Sequence, residues 1–160
     1  MIAGIDPGLT GGLAILDDGG APIFASSLLL IAGREVDSHW LRDTLDSFNV
    51  SCVFLEHSHA FPKQGVSSAF TYGVVWGTIY ATCLSVCAVV LVSPPKWHKA
   101  MCAGTPTDAP TKARALIAAE RLFPGVDLKA SAKSRKPHEG MVDALLICEF
   151  GRRGLTVKAA

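Results

Sequence analysis

The chain has 160 residues, 49% of them hydrophobic, and a formal net charge of +1. That length suits one domain with its own core and is short for two; the apolar share excludes a disordered chain, and apolar runs that never reach about 18 residues exclude a membrane-spanning helix. The charge is unevenly laid out, with three Lys/Arg against eight Asp/Glu over residues 1–95 and twelve against six over residues 96–160, an asymmetry that suits a polyanion-binding face around an acidic site.

In chain order, residues 2–5 and 13–16 are short apolar runs that predict two buried strands. They are joined through Pro7-Gly8-Leu9-Thr10-Gly11-Gly12, with Asp6 at the mouth of the first. Asp17-Asp18-Gly19-Gly20 is a turn signal, and residues 22–30 predict a third strand that completes an antiparallel meander. From Glu35 to Phe48, Val36, Trp40, Leu41, Leu45 and Phe48 recur at helical spacing and predict an amphipathic helix. Residues 50–56 form an apolar run ending in Glu56. A strand reached through a helix is predicted to run parallel to a neighbour, which sets Asp6 and Glu56 at one sheet edge.

Residues 57–64 are a loop containing His59, Phe61 and Lys63. A helix over 67–84 follows, apolar nearly all round. It is predicted to be buried from more than one side, either between the sheet and a second subunit or as a central core helix. A homodimer is the preferred expectation, through Phe70, Gly73, Trp76, Gly77 and Tyr80. Residues 87–92 predict a fifth strand, and Pro94-Pro95 opens a short helix over 96–101 carrying Lys96, Trp97 and Lys99. An Ala-rich helix over 111–123 begins with Lys112 in its first turn. Residues 126–137 are a basic segment with Lys129, Lys133, Arg135 and Lys136, lacking apolar periodicity and expected to be mobile when free. The last helix runs from Pro137 or His138 to Arg153. With no internal repeat and no domain boundary, the order predicts a single α/β domain over residues 1–160. The five cysteines are odd in number and mostly sit in apolar runs, which predicts reduced thiols. Cys83 and Cys87 have no second pair to complete a zinc site.

Asp143 interrupts an otherwise apolar run in the last helix, where a solvated surface does not account for it. Glu139 stands one turn earlier on the same face. With Asp6 and Glu56 this makes four carboxylates. Brought together they repel and raise one another's pKa values, and divalent cations relieve that. Hard oxygen ligands select Mg²⁺ or Mn²⁺ over zinc. Two such ions can hold a phosphate, activate a water and stabilise the leaving oxygen of an in-line displacement. Any one of these acids alone reads equally well as a cap, a turn residue or half of a salt bridge.

Gly4-Ile5-Asp6-Pro7-Gly8 opening a hairpin, Phe54-Leu55-Glu56 closing a strand and Val142-Asp143-Ala144-Leu145-Leu146 in the last helix resemble the RuvC-type Holliday-junction resolvases. His59-Ala60-Phe61-Pro62, Phe70-Thr71-Tyr72-Gly73, Trp97, residues 112–124 and His138-Glu139-Gly140 are most similar to the branch of chloroplast and phage resolvases. The resemblance covers nearly the whole chain in one order. It implies an RNase H-like fold, with a mixed five-stranded sheet whose strands 1–3 are antiparallel, flanked by helices and working as a homodimer. It implies two Mg²⁺ (or Mn²⁺) ions on Asp6, Glu56, Glu139 and Asp143, with Lys112 meeting the scissile phosphate. The substrate implied is a four-way DNA junction, cut by paired symmetric nicks. His59, Phe61, Lys63, Lys96, Lys99, Lys133, Arg135, Lys136 and His138 are the implied DNA contacts, and no membrane is involved.

This sequence departs from that pattern in carrying His57 where relatives often have Gln, and in placing His98 between Trp97 and Lys99. The competing readings are an RNase H-fold nuclease for flaps, forks or RNA hybrids, a non-catalytic junction-binding dimer and, more distantly, an actin-like phosphotransferase fragment, since Asp6-x-Gly8-x-Thr10 also suits a phosphate loop. With the first strand starting at Ile2, the expected location is the cytoplasm or nucleoid of a bacterium or phage-infected cell, or a chloroplast if a transit peptide has been trimmed.

Overall fold

β1 (Ile2–Asp6), β2 (Gly12–Leu16) and β3 (Pro22–Ser27) form the expected antiparallel meander. The structure is a computed structural model that describes residues 1–57 and 65–158, the side chains of 156–158 excepted. β3 stops at Ser27, short of residue 30; beyond it the Leu28 N–H still donates to Gly11 O at 3.1 Å, and the Leu28 side chain enters the core. Next comes a small hairpin absent from the expectations, β4 (Leu30–Ile31) with β5 (Glu35–Val36). Its turn runs through Ala32 and Gly33, both at positive φ. The helix expected from Glu35 therefore starts later, as α1 (Ser38–Ser47). Asp37 caps it, accepting the Trp40 N–H at 3.0 Å, and a good N-cap residue overrides the helical spacing of Val36.

The remaining elements are β6 (Cys52–Glu56), α2 (Val66–Leu84), β7 (Ala88–Val92), α3 (Pro94–Met101), α4 (Thr111–Leu122) and α5 (Glu139–Lys158). α3 begins two residues before its expected start, since proline is well suited to the first helical positions, where no N–H partner is needed. β6 pairs in parallel with both β1 and β7, giving one mixed sheet in the order β3-β2-β1-β6-β7. The segment between α4 and α5 is less free than its composition suggests. Leu128 is buried, and its carbonyl accepts the His138 N–H at 2.6 Å. No helix among the described residues is long and apolar enough to cross a membrane, and the five cysteines are free thiols.

Strand alternation divides the interior in two. Ala3, Ile5, Leu13, Ile15, Val53 and Leu55 share one core with Leu41 and Leu45 of α1 and Val75 and Ile79 of α2. Ile2, Ala14, Leu16 and Phe54 share the other with α3, α4 and α5. Period two along β1 and β6 then assigns Asp6 and Glu56 to the second face, the one that α5 covers.

α5 lies unusually close to the sheet. A Cβ on Gly4 would run into the backbone of Ala144 and Cys148, and one on Gly12 into the backbone of Gly140 and Met141. Close approach by glycine thus fixes the height and register of α5. α2 behaves differently. Val75, Ile79 and Cys83 are buried, but Val66 is 87% and Phe70 73% exposed, so α2 is not a central core helix in this chain.

Candidate active site

Three elements deliver the acids to one edge. β1 and β6 run parallel with Ile5 opposite Leu55, so Asp6 and Glu56 end adjacent strands side by side on the α5 face. The turn after Asp6 meets the start of α5 through a bridge between Gly11 and Gly140. Asp143 follows one turn later and therefore stands over the end of β1.

The electrostatics report how near these groups are. Burial pushes the Asp6 carboxyl well above the ordinary aspartate range, and the charges of Asp143 and then Glu56 push it further. Burial raises Asp143 to about 7, with Glu56 and Glu139 adding to the rise and Lys112 opposing it. Two aspartates held against the proton by desolvation and mutual repulsion call for a cation.

Glu139 and Lys112 form an ion pair across α4 and α5, with both side chains largely exposed. The Glu139 hydrogen bond and charge raise the Lys112 pKa. Together with Asp143 and Lys136 they line a cavity of about 250 Å³ whose remaining wall is apolar, including Ala115, Leu116 and Val142. On the other side of the turn, Asp6 opens onto a cleft of about 560 Å³ against the first half of α2, lined by Thr10, Ser67, Ser68, Thr71 and Tyr72. The acid cluster thus sits between two clefts.

Glu56 is held by two indoles. Trp76 Nε1 donates to its backbone oxygen at 3.0 Å, and Trp97 Nε1 to its carboxylate Oε2 at 2.7 Å. Among the described residues, no three Asp, Glu, His or Cys side chains already enclose a single ion site, and Glu139 is paired with Lys112. The donor chemistry still fits a hard divalent cation. All four groups are carboxylates, and two of them are pushed toward protonation by burial first and by their neighbours' charge second.

The other expected residues fall into four groups. Lys96, Lys99, Lys133, Arg135 and Lys136 are exposed, the first two on α3 and the rest on the segment leading to α5. His138 caps α5, its Nδ1 accepting the Met141 N–H at 3.3 Å. His59, Phe61 and Lys63 lie outside the described residues. On α2, Phe70 and Gly73 are exposed, whereas Trp76 is committed to Glu56 and stacks on Tyr80 with ring centroids 4.9 Å apart.

The indole bonds to Glu56 and the glycine contacts under α5 were not expected from the sequence. The available signals were a Trp in the helix after β7, and a glycine in each of the two strands that α5 covers, Gly4 in β1 and Gly12 in β2.

No protein-family model matches the chain, and no curated protein sequence does. Solved structures do. Thermus thermophilus RuvC in complex with a Holliday junction substrate superposes with a TM-score of 0.67 at 18% identity, covering 99% of this chain and 95% of that one. The chain has the RuvC fold. A second Thermus thermophilus RuvC structure gives a TM-score of 0.63 at 18% identity, over 96% of each chain. Ydc2, the yeast mitochondrial Holliday junction resolvase, gives 0.59 at 14% identity, over 99% of this chain and 80% of that one. The expected mixed five-stranded, RNase H-like architecture is thereby borne out.

Proposed function

We propose that this protein is a structure-selective endonuclease that resolves four-way DNA junctions by paired symmetric nicks. One observation carries the reading. Asp6, Glu56 and Asp143 are electrostatically coupled at one sheet edge of a RuvC fold, with Lys112 beside them. The Thermus relative of that fold is a junction-bound RuvC.

In this reading Asp6, Glu56, Glu139 and Asp143 hold two Mg²⁺ ions, with Mn²⁺ able to substitute. Bound there, the ions supply Lewis-acid stabilisation of the phosphate and a water of lowered pKa. The chain's own groups do the rest. Asp6 and Asp143 would serve as ligands in their carboxylate forms. Glu139 leaves Lys112, freeing that ammonium for the phosphoryl charge, where the start of α4 adds its partial positive charge. Lys96, Lys99, Lys133, Arg135, Lys136 and His138 contact phosphates, so binding weakens steeply with salt. His59, Phe61 and Lys63 meet the junction centre. A homodimer formed through the outer face of α2 matches the two-fold symmetry of the junction. The His59–Pro62 and His138–Gly140 motifs support the chloroplast and phage branch.

The test is a synthetic four-way junction with Mg²⁺. The expected products are paired nicks at symmetric positions with ends that ligase seals. Equal cutting of plain duplex or of flaps overturns junction selectivity in favour of a broader nuclease. Asp143→Asn should lower cutting by about 10³-fold or more while junction binding in EDTA is kept. Loss of both together would assign Asp143 to the fold instead.

A further inference from the structure

Trp97 is 2% exposed, set in the core that α3 shares with α4 and α5, and its one polar atom donates to a site carboxylate. Glu56 is thus tied from two helices, its main chain by Trp76 of α2 and its carboxylate by Trp97 of α3. That second bond works against a force. Glu56 is charge-coupled to both Asp6 and Asp143, and like charge drives its carboxylate away from them. Glu56 is only partly buried, so a rotation toward water is open to it. An indole N–H is a donor only, and a charged acceptor makes the stronger kind of hydrogen bond. A buried ring cannot follow the carboxylate outward, so the bond restrains the carboxylate rather than trailing it. Trp97 is itself backed by His98, with ring centroids 4.7 Å apart.

We propose that Trp97 is a positioning residue for Glu56, holding its carboxylate beside Asp6 and Asp143 against their repulsion so that it is in place to take a hard divalent cation. The inference rests on the metal-site reading of the acid cluster. Trp97 itself touches neither metal nor DNA in this role.

A calorimetric titration with Mn²⁺ tests it, on wild type, Trp97→Phe, Glu56→Gln and the double variant. Trp97→Phe should raise the Mn²⁺ concentration for half-saturation about tenfold, about 1.4 kcal/mol. In the Glu56→Gln background the same change should have little further effect, because the two residues act as a unit. An unchanged or tighter half-saturation in Trp97→Phe overturns the assignment. So does an equal factor in both backgrounds, which would mean that Trp97 acts through packing alone.

If Trp97→Phe does not fold, β-(3-benzothienyl)alanine at position 97 keeps the shape of the bicycle and removes only the N–H. The tenfold shift is expected there too, and its absence overturns the assignment. Absence of Mn²⁺ binding by wild type would overturn the metal-site reading and the proposal with it. Normal wild-type binding with an unaffected variant overturns the role of Trp97 alone. The readout is heat of metal binding, so it holds whether or not the protein cuts junctions.

Discussion

Among the described residues, α5 and α2 are the two longest helices, at 20 and 19 residues, and both carry long apolar runs. They lie on opposite faces of one sheet, yet only α5 is covered. Ala144, Leu145, Leu146, Ile147 and Cys148 are fully buried, while Val66, Phe70 and Val74, each four residues from the next along α2, face outward. An apolar pattern states that a helix needs cover without stating where the cover comes from. For α5 the answer is written elsewhere in the chain, in the side chains missing at Gly4 and Gly12. For α2 it is not found among the described residues. The division suits the chemistry. The helix that carries Asp143 must hold it at a fixed height over Asp6, whereas a helix proposed to meet a second copy needs only an open face.

The comparison breaks most severely at Gly4. Gly4→Ala places a methyl against the backbone of Ala144 and Cys148, and backbone cannot swing aside as a side-chain tip can. The helix must lift or the strand must bend, at about 3 kcal/mol or more. Denaturant unfolding should show that loss. Cutting should fall along with stability, because lifting α5 separates Asp143 from Asp6. A variant that unfolds like wild type would mean that the close approach does not set the register of α5.

A second break uses the charge that α5 carries. Asp143 is raised to about 7 chiefly by burial, and Asp6 is raised in the same direction. The folded chain therefore holds these protons more tightly than the unfolded chain does. The stability this gives is complete below about pH 4 and is lost as the pH rises through 7. In EDTA the melting temperature should fall between pH 5 and pH 8 by about 4–8 °C, corresponding to about 2 kcal/mol. Asp143→Asn should flatten most of that slope. Mg²⁺ should raise the melting temperature more at pH 8 than at pH 5, since protons and metal compete for the same oxygens. A slope that Asp143→Asn leaves intact would assign the pH dependence to other groups.

The two helices also mark how far the sequence could be read. Asp6, Glu56 and Asp143 were legible because each interrupts or ends an apolar run, where an unpartnered charge is costly. Strand alternation and one parallel crossover then suffice to bring them to one edge. The β4–β5 hairpin was not legible, since two-residue strands leave no periodicity and Val36 fits a helical pattern as well as a strand. The Glu139–Lys112 pair was not legible either. Helical spacing places Glu139 with Asp143, and only the approach of α4 to α5 offers it a cation instead. The indole bonds to Glu56 depend on where α2 and α3 land relative to β6, which no local pattern encodes.

The smallest expected effect is the one that separates the helices most cleanly. A Cβ at Gly73 meets nothing within 4 Å, whereas at Gly4 it meets backbone. In an isolated protomer Gly73→Ala should therefore stabilise, by about 0.5–1 kcal/mol of helix propensity. If the outer face of α2 is where two copies meet, the added methyl also stands in the interface. The gain should then appear at nanomolar protein and shrink or reverse at micromolar protein, while sedimentation equilibrium shows a weaker dimer. Phe70→Glu, on the same face, should give a folded monomer at micromolar concentration, because a carboxylate cannot be desolvated there without a partner. A wild-type protein that is monomeric at that concentration, or a Phe70→Glu variant with unchanged mass, would leave the bare face of α2 without the role that distinguishes it from α5.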